Sequence, residues 1–387
     1  MAQELTSISN KTVAVVGGGP AGCICAKFLS DKGIDVTLFD KGKFLRTLLP
    51  TGGGRCNLAH ADYDFKSLAK NYPRGEKFLY SVFSKFATDE TLNFFKSLGV
   101  DTYVQNDGRI FPVSNSSSDV REKLLKSLKC KFVNEEVLKI SPQYKIKTNK
   151  SEYFFDNVVV ATGGHAGYGM LKEFNMDIIP PEPSLVGLVT KEDFSKLAGV
   201  SIKNVKAENG KNQFDGDLLF THKGVSGPLI YTISSVLARE KMPYKIYLKF
   251  FDDFDFQKLL NDNSHKEIKN LLSQFVPKSF ANHLLDYSGI NPNLECYKIN
   301  GSMRDLIYKN LTDFEITIKD KAPDGEVVTC GGVDLNEINP KTMESKKYRG
   351  LYFCGEVLDI DGYCGGFNLQ NCWSTGFVCA DAIINSN

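Results

Sequence analysis

The feature that most constrains the fold is a glycine-rich turn near the start of the chain. Residues 12–40, TVAVVGGGPAGCICAKFLSDKGIDVTLFD, read as a strand, a tight turn, a helix and a second strand. Residues 13–16 form an apolar run that is typical of a strand buried on both faces of a parallel sheet. The next glycines, Gly17, Gly19 and Gly22, fit the pattern G-x-G-x-x-G. In this pattern the first glycine makes the turn, the second lets the backbone approach a pyrophosphate, and the third lets the helix pack on the strand.

Two further residues favour a dinucleotide site. Pro20 falls in the first turn of the helix, where a missing N–H costs nothing, and the helix N-terminus then points at the phosphates. Asp40 ends the second strand at the position where an acid accepts the ribose hydroxyls, and its charge repels a 2′-phosphate. An ordinary glycine-rich turn is the alternative, but the complete context of strand, turn, helix, strand and acid favours a bound dinucleotide.

The composition narrows the class of protein. The chain has 387 residues, of which 42% are hydrophobic and 24% charged, as in soluble globular proteins. A net charge of +1 gives no reason to expect nucleic acid or an anionic membrane as a partner. The polar start lacks the apolar core of a secretion signal, and no apolar run approaches the ~18 residues of a membrane span. We therefore expect a cytoplasmic protein.

The cysteines and histidines do not predict a metal site. The ten cysteines include no C-x-x-C pair, and the five histidines show no metal-ligand spacing. Several cysteines lie in segments that read as buried helix or strand: Cys23, Cys25, Cys354, Cys372 and Cys379. Free buried thiols in a reducing compartment are the expected state.

A second glycine-rich loop follows the second strand and holds the sequence PTGGGRCNLAH. Three consecutive glycines, residues 52–54, are expected where the backbone takes positive φ or touches a ligand closely. The planar fork of Arg55 suits a phosphate, a carboxylate or a flavin carbonyl. A surface turn whose arginine pairs with a nearby acid is the alternative. Because ligands of such sheets bind where this loop leaves its strand, a ligand is favoured.

The C-terminal stretch GLYFCGEVLDIDGYCGGFNLQNCWSTGFVCADAI again shows a strand followed by a glycine-rich segment and a helix. Residues 351–354 predict a buried strand, and Gly362, Gly365 and Gly366 form a flexible approach to a final helix. A dinucleotide turn at one end of the chain and a second glycine-rich junction at the other indicate one long cofactor bound between both ends. This arrangement favours FAD over NAD.

The middle of the chain predicts an insertion. Residues 131–140 predict one strand, residues 153–161 predict one fully buried strand, and the proline-rich residues 180–183 mark a boundary. Short strand-like runs follow, then a helical pattern, then strands again, so the helical block is inserted in a β-rich domain. The predicted domains are an FAD-binding domain (1–183 and 331–387), a β-barrel domain (184–254 and 311–330) and a helical lid (255–310).

Several motifs together resemble a known family. TGGGRCN, GRIFPVS, ATGG, GDLLFTHKGVSGP, TCGGVD and GYCGGFNLQ are similar to segments of the BaiN/YhiN-like flavoproteins, also called the aminoacetone oxidase family. The matches extend from Val13 to Ala380. The resemblance implies an α/β fold: a glutathione-reductase-type, Rossmann-like FAD-binding domain made from both chain ends, with an inserted β-barrel and a helical lid.

The resemblance also implies where FAD binds. Gly17, Gly19 and Gly22 would hold the pyrophosphate, Asp40 the adenosine ribose, and the backbone of Val137 the adenine. The complete set of implied cofactor-binding residues is Gly17, Gly19, Pro20, Ala21, Gly22, Asp40, Lys41, Gly53, Gly54, Arg55, Cys56, Asn57, Val137, Ala161, Thr162, Gly163, Gly355, Glu356, Gly366, Asn368, Leu369 and Gln370.

The function expected from the sequence is hydride transfer between flavin and a small organic substrate. An oxidase would pass electrons from an amine to oxygen, whereas a reductase would take them from NAD(P)H and saturate a C=C bond. Because only one G-x-G-x-x-G is present, NAD(P)H would bind transiently. A non-redox flavoprotein module is a third alternative. His60, His165 and His222 fall in loops and are candidate proton carriers.

Overall fold

The computed structural model describes residues 11–165, 167–252, 254–322 and 328–386. The chain forms two compact units: Met1–Glu182 with Val328–Asn387, and Pro183–Val327. The strands are β1 (Thr12–Val16), β2 (Asp35–Phe39), β3 (Ala59–His60), β4 (Thr102–Val104), β5 (Arg109–Pro112), β6 (Lys131–Val133), β7 (Val137–Ile140), β8 (Lys145–Thr148), β9 (Glu152–Phe154), β10 (Asn157–Val160), β11 (Ile178–Ser184), β12 (Leu188–Thr190), β13 (Ser201–Asn209), β14 (Asn212–Thr221), β15 (Gly224–Ser226), β16 (Tyr244–Lys249), β17 (Phe314–Lys321), β18 (Val328–Val333) and β19 (Leu351–Phe353). The helices are α1 (Pro20–Asp31), α2 (Phe65–Ala69), α3 (Glu76–Phe83), α4 (Thr88–Ser97), α5 (Ser117–Ser127), α6 (Pro228–Val236), α7 (Phe256–Asp262), α8 (Ile268–Leu272), α9 (Lys278–Tyr287), α10 (Gly301–Thr312) and α11 (Phe367–Asn385).

The first unit is built on a parallel sheet with the strand order β19-β10-β1-β2-β6. Every residue of β1 after Thr12 is buried, which explains the unbroken apolar run in the sequence. Helices α1 and α11, from opposite ends of the chain, pack against each other. A Cβ at Gly376 of α11 would lie 2.5 Å from the carbonyl oxygen of Ala21 in α1. The two helices therefore touch through small residues, and α1 begins at the carboxyl end of β1.

Two predictions of single strands are wrong, because each stretch forms two strands in different sheets. Over residues 131–140, β6 joins the parallel sheet and β7 joins an antiparallel sheet with β8 and β9. Between them the side chain of Asn134 donates to the carbonyl oxygens of Asp40 at 2.9 Å and Gly42 at 2.7 Å. Over residues 153–161, the break between β9 and β10 contains Asp156, which accepts a hydrogen bond from the Thr12 N–H at 2.8 Å.

The second unit contains a closed barrel with the strand order β12-β15-β14-β13-β16-β17. Its core is continuous with the buried faces of helices α7 to α10. Phe280 of α9, for example, stacks on Phe220 of β14 with ring centroids 5.5 Å apart. Strand β18 lies outside the barrel and pairs with β11.

Candidate functional site

A cavity of about 440 Å³ lies at the carboxyl ends of β1, β2 and β10 in the first unit. Ligands of open parallel sheets bind at this edge. The glycine turn after β1, the loop after β2, the loop after β10 and the turn after β19 each contribute to its wall. The cavity therefore joins segments from both ends of the chain.

The three glycines of the turn have different surroundings. Gly17 has a φ of +111°, and a Cβ there would lie 2.6 Å from the carbonyl carbon of Ala161. A Cβ at Gly22 would overlap the carbonyl oxygen of Gly17. A Cβ at Gly19 would meet nothing closer than the hydroxyl of Thr47, at 3.8 Å. Close contacts within the protein thus require glycine at positions 17 and 22, whereas Gly19 leaves open space in the cavity.

The carboxylate of Asp40 is held in place at the end of β2. Its two oxygens accept hydrogen bonds from the N–H groups of Gly18, at 2.8 Å, and Gly42, at 2.7 Å. The following loop folds back over the turn, because the Leu45 N–H donates to the Gly18 carbonyl at 2.7 Å. Each carboxylate oxygen has two acceptor positions, so Asp40 keeps the capacity to accept a ligand hydroxyl.

Cationic side chains from the same loop line the cavity. Lys41 lies 3.4 Å from Glu136, but among the described residues neither Lys43 nor Arg46 forms an ion pair. Helix α1 begins at the same place without an acidic residue in its first turn. A helix N-terminus beside uncompensated cations is a suitable environment for phosphate groups.

The second glycine loop is joined to the start of α11. With its amide nitrogen facing the carbonyl oxygens of Ile110 and Ala59, Asn57 donates to them at 3.2 and 3.0 Å, and its oxygen accepts from the Gly366 N–H at 3.0 Å. Gly366 has a φ of +100°, and a Cβ there would lie 2.6 Å from the carbonyl carbon of Ala59. The two glycine-rich segments are therefore fixed against each other by direct protein contacts.

The structure brings together part of the predicted site. The predicted residues that line the cavity are Gly17, Gly19, Pro20, Ala21, Asp40, Lys41, Val137, Ala161, Thr162, Gly163, Gly355 and Glu356. The predicted residues outside its wall are Gly22, Gly53, Gly54, Arg55, Cys56, Asn57, Gly366, Asn368, Leu369 and Gln370. The assignment of each residue to a part of FAD stays a prediction.

Two side chains of α11 are engaged within the protein. The amide of Asn368 accepts from the Gly362 N–H and donates to the Gly362 carbonyl, both at 2.8 Å. Gln370 is fully buried and donates to the hydroxyls of Thr91 at 2.8 Å and Ser374 at 2.9 Å. These side chains therefore hold the loop before α11 and the neighbouring helix α4.

The predicted cofactor-binding residue Cys56 and two of the candidate proton carriers, His60 and His222, have ordinary structural surroundings. Burial raises the pKa of the Cys56 thiol to about 12, so it stays protonated at neutral pH. The Nδ1 atom of His60 lies 3.1 Å from the Gly365 carbonyl, and its ring stacks on Phe367. His222 is exposed and lies in the second unit. None of these side chains lines the cavity.

Sequence reasoning missed half of the cavity wall. The additional lining residues are Val16, Gly18, Phe39, Gly42, Lys43, Arg46, Thr47, Glu135, Glu136, Gly167, Met170 and Cys372. The lining residues from 42 to 47 could have been predicted from the sequence, because they closely follow Asp40 at the binding edge of the sheet and include two cations. Glu135 and Glu136 give no such signal, because the sequence of residues 131–140 has the pattern of one continuous strand.

The residues that the structure describes, 11–165, 167–252, 254–322 and 328–386, include no helix long and apolar enough to cross a membrane. The same ranges contain no group of three or more His, Cys, Asp or Glu side chains that could hold a metal ion. None of the ten cysteines, which all lie within the described ranges, forms a disulfide, and those predicted to be buried are buried.

The glycine turn on a parallel sheet, the cavity formed by both chain ends and the inserted barrel define a Rossmann-like, dinucleotide-binding protein. Residues 11–382 match the family model described as HI0933-like protein Rossmann domain. The chain belongs to this family of FAD-dependent oxidoreductases. The resemblance predicted from the sequence motifs is thereby confirmed.

Curated relatives align with almost the whole chain. The ribosomal RNA dihydrouridine synthase of Escherichia coli is 29% identical, with 96% of this chain and 97% of the relative covered. The 3-dehydro-bile acid delta(4,6)-reductase of Clostridium scindens is 30% identical, with 96% of this chain and 98% of the relative covered. Among solved structures, the 3-ketosteroid delta1-dehydrogenase of Sterolibacterium denitrificans has a TM-score of 0.53 at 12% identity, over 97% of this chain and 100% of that one. This last likeness shows the fold alone.

The cavity residues fit FAD. The Thr162 hydroxyl is buried in the cavity wall without a hydrogen-bond partner among the described residues, and it is available to a ligand. Gly19 leaves the space that a pyrophosphate needs, and Lys43 and Arg46 supply positive charge beside it. The predicted cofactor, FAD, and the predicted α/β FAD-binding fold with an inserted barrel are confirmed by the family match.

Proposed function

We propose that the protein is a cytoplasmic FAD-dependent reductase that saturates a C=C bond conjugated to a carbonyl group in a small organic substrate. The proposal is carried by a reaction that the names of two full-length relatives share. Dihydrouridine, the product named for the Escherichia coli relative, is uridine with one ring C=C bond saturated beside a carbonyl. The name of the Clostridium scindens relative specifies reduction at delta(4,6) of a 3-dehydro-bile acid, whose double bonds are conjugated to its 3-oxo group.

The chemistry divides between cofactor and protein. FAD, once bound and reduced, would supply the hydride. The substrate accepts this hydride at the carbon β to its carbonyl, negative charge passes to the carbonyl oxygen, and a proton then reaches the α carbon. The protein orients both partners and places hydrogen-bond donors where this charge develops. In this assignment Gly19 faces the pyrophosphate, Asp40 the adenosine ribose and Glu356 the ribityl chain.

NAD(P)H is the proposed source of the hydride. The sequence has a single G-x-G-x-x-G, and the FAD site uses it. A nicotinamide donor would therefore bind transiently beside the flavin and leave before the substrate enters. The net charge of +1 supports a small substrate rather than a nucleic acid.

The test is anaerobic rapid mixing of the purified FAD protein, followed at the flavin absorbance band. The oxidised protein is mixed with NADH, NADPH or a primary amine to find the donor. The reduced protein is then mixed with a 4-en-3-one steroid, 2-cyclohexenone, or an RNA fragment that contains uridine. The proposal expects fast reduction by a nicotinamide and fast oxidation by an acceptor with a C=C–C=O unit.

Other outcomes identify the alternatives. Reduction by an amine and fast oxidation by oxygen would make the protein an amine oxidase. Reoxidation by the RNA fragment alone would keep the reaction but replace the small substrate. A flavin that exchanges electrons with none of these reagents would make the cofactor structural and refute the proposal.

A further inference from the structure

Arg55 of the second glycine loop is held in a fixed position. It is half-buried, and its Cζ atom lies 4.1 Å from the centroid of the buried Phe111 ring. Its Nε atom donates to the carbonyl oxygen of Gly52 at 3.2 Å. Two anchors thus set the plane of the guanidinium and leave its Nη atoms facing away from the Nε contact.

The two Nη atoms of Arg55 have no protein acceptor in the part of the chain that the structure describes. No carboxylate there forms an ion pair with it, and no acceptor bonds to either Nη atom. Arg109 provides the contrast, because its Cζ atom lies over the same Phe111 ring at 5.7 Å but its guanidinium pairs with Asp107 at 2.7 Å. The Nε atom of Arg55 is already bonded to Gly52, whereas its two Nη atoms keep their donors for solvent or a ligand.

The loop that carries Arg55 is fixed as well. Gly52 has a φ of +59°, and a Cβ there would lie 2.8 Å from both the Asn57 nitrogen and the Phe111 ring. Asn57 in turn accepts from the Gly366 N–H at the start of α11. Arg55 is therefore a preorganised donor beside the junction of the two glycine-rich segments, and a fixed donor stabilises developing charge without reorganisation.

We propose that Arg55 binds the carbonyl oxygen of the substrate. This inference rests on the proposed function, because it assigns a residue to the C=C–C=O unit. Bound reduced FAD would supply a hydride to the β carbon, and the C=C electron pair would then move to the Cα–C bond and the carbonyl π pair to oxygen. The guanidinium donates two hydrogen bonds to that oxygen. A proton from solvent then adds to the α carbon and restores the C=O bond.

The test compares Arg55→Gln and Arg55→Lys with the matched control Arg109→Gln, all as FAD-loaded proteins. Each is reduced photochemically and mixed anaerobically with 2-cyclohexenone, 4-en-3-one steroid or uridine-containing RNA. Loss of one oxyanion donor costs about 100-fold or more, so Arg55→Gln should slow flavin oxidation by that factor. Arg55→Lys should recover part of the rate, and Arg109→Gln should stay within about threefold of the wild type.

A further measurement separates this role from a role in holding the cofactor. FAD content should be unchanged in Arg55→Gln. A wild-type rate with the unsaturated carbonyl would overturn the inference. Lost FAD in both Arg55 variants would also overturn it, because the guanidinium would then hold the cofactor.

A binding experiment keeps the inference testable if the proposed reaction fails. Oxidised wild type and Arg55→Gln are titrated with cyclohexanone and with dihydrouridine, which cannot be reduced, and the flavin spectrum is followed. Binding that weakens about tenfold or more in Arg55→Gln supports the inference even if the wild type transfers no hydride. Equal binding to both proteins, or no binding to the wild type, refutes it.

Discussion

Two single substitutions should have different effects: Gly22→Ala should destabilise the fold, whereas Gly19→Ala should weaken FAD binding. At Gly22 the new Cβ would overlap the Gly17 carbonyl oxygen and lie 3.3 Å from the Ala161 Cβ. Ordinary carbon contacts are about 3.5–4.0 Å, so α1 or the turn must move. Because one obstacle is backbone, we expect a loss of about 3 kcal/mol in the free energy of unfolding, at the upper end of overpacking costs.

Gly19→Ala should leave the stability of the apoprotein nearly unchanged. The backbone angles of Gly19, φ −79° and ψ −172°, are open to Ala, and its Cβ would meet nothing within 3.8 Å. Ala is the poorer N-cap, at a cost of several tenths of a kcal/mol. Its smaller unfolded-state entropy returns about 0.4–1 kcal/mol. The net change should therefore stay within about 1 kcal/mol.

The same methyl group would occupy the space assigned to the pyrophosphate. We expect the FAD dissociation constant of Gly19→Ala to rise at least about tenfold, or about 1.4 kcal/mol. Unfolding in urea should be followed on FAD-free protein, because bound FAD adds its own stabilisation. The chain has a single tryptophan, Trp373, buried in α11, so its fluorescence reports on the first unit. FAD affinity is measured separately by quenching of flavin fluorescence.

Either of two results would refute this reasoning. Apo Gly22→Ala with the unfolding free energy of the wild type would mean that the turn and α1 are not packed as described. Gly19→Ala with wild-type FAD affinity would mean that the pyrophosphate lies elsewhere. Both variants carry the same added methyl group, so each serves as the control for the other.

Three further predictions concern single side chains. Arg46→Gln should raise the FAD dissociation constant about tenfold at low salt and less at high salt, because an exposed cation is screened; equal affinity in a titration would contradict its role. Tyr72→Phe removes a buried hydroxyl that donates to the Phe367 carbonyl at 2.6 Å, and urea unfolding should show a loss of about 1–2 kcal/mol. Burial lowers the pKa of His283 below its ordinary 6.5, so the unfolded chain takes up the proton first. The unfolding free energy should therefore fall as the pH drops below 6.5, and His283→Gln should flatten that dependence in a pH series of unfolding curves.

The part of the fold that the sequence predicts well is the part set by local geometry. The turn of Gly17 and the acid Asp40 lie where the motif requires, because a G-x-G-x-x-G turn between strand and helix has one arrangement. The cavity wall formed by Arg46 and Thr47 depends instead on a loop that folds back. A hydrogen bond from the Leu45 N–H to the Gly18 carbonyl sets the path of this loop. The residues around position 45 contain no sequence pattern that would predict this bond to Gly18.

The wrongly joined strands have the same physical origin. Residues 131–140 have a continuous β-strand pattern, but Asn134 bonds to the carbonyl oxygens of Asp40 and Gly42, more than 90 positions away. Asp156 bonds to Thr12 across an even larger separation. A strand pattern reports on burial along one segment, whereas the break is set by a polar side chain whose partner lies elsewhere in the chain.

Glycine-rich segments show most clearly where sequence reasoning stops. The sequence interpretation treats Gly366 as a flexible approach to a helix, in the same way as it treats Gly19 as an approach to a ligand. In the structure, the missing Cβ of Gly366 faces the Ala59 backbone, whereas that of Gly19 faces the open cavity. Gly366 therefore lacks a side chain because the protein packs closely there, whereas Gly19 lacks one because a ligand needs the space. Substitution at Gly366 would therefore disturb the contact with Asn57 first, and only positions of the Gly19 kind can test the cofactor directly.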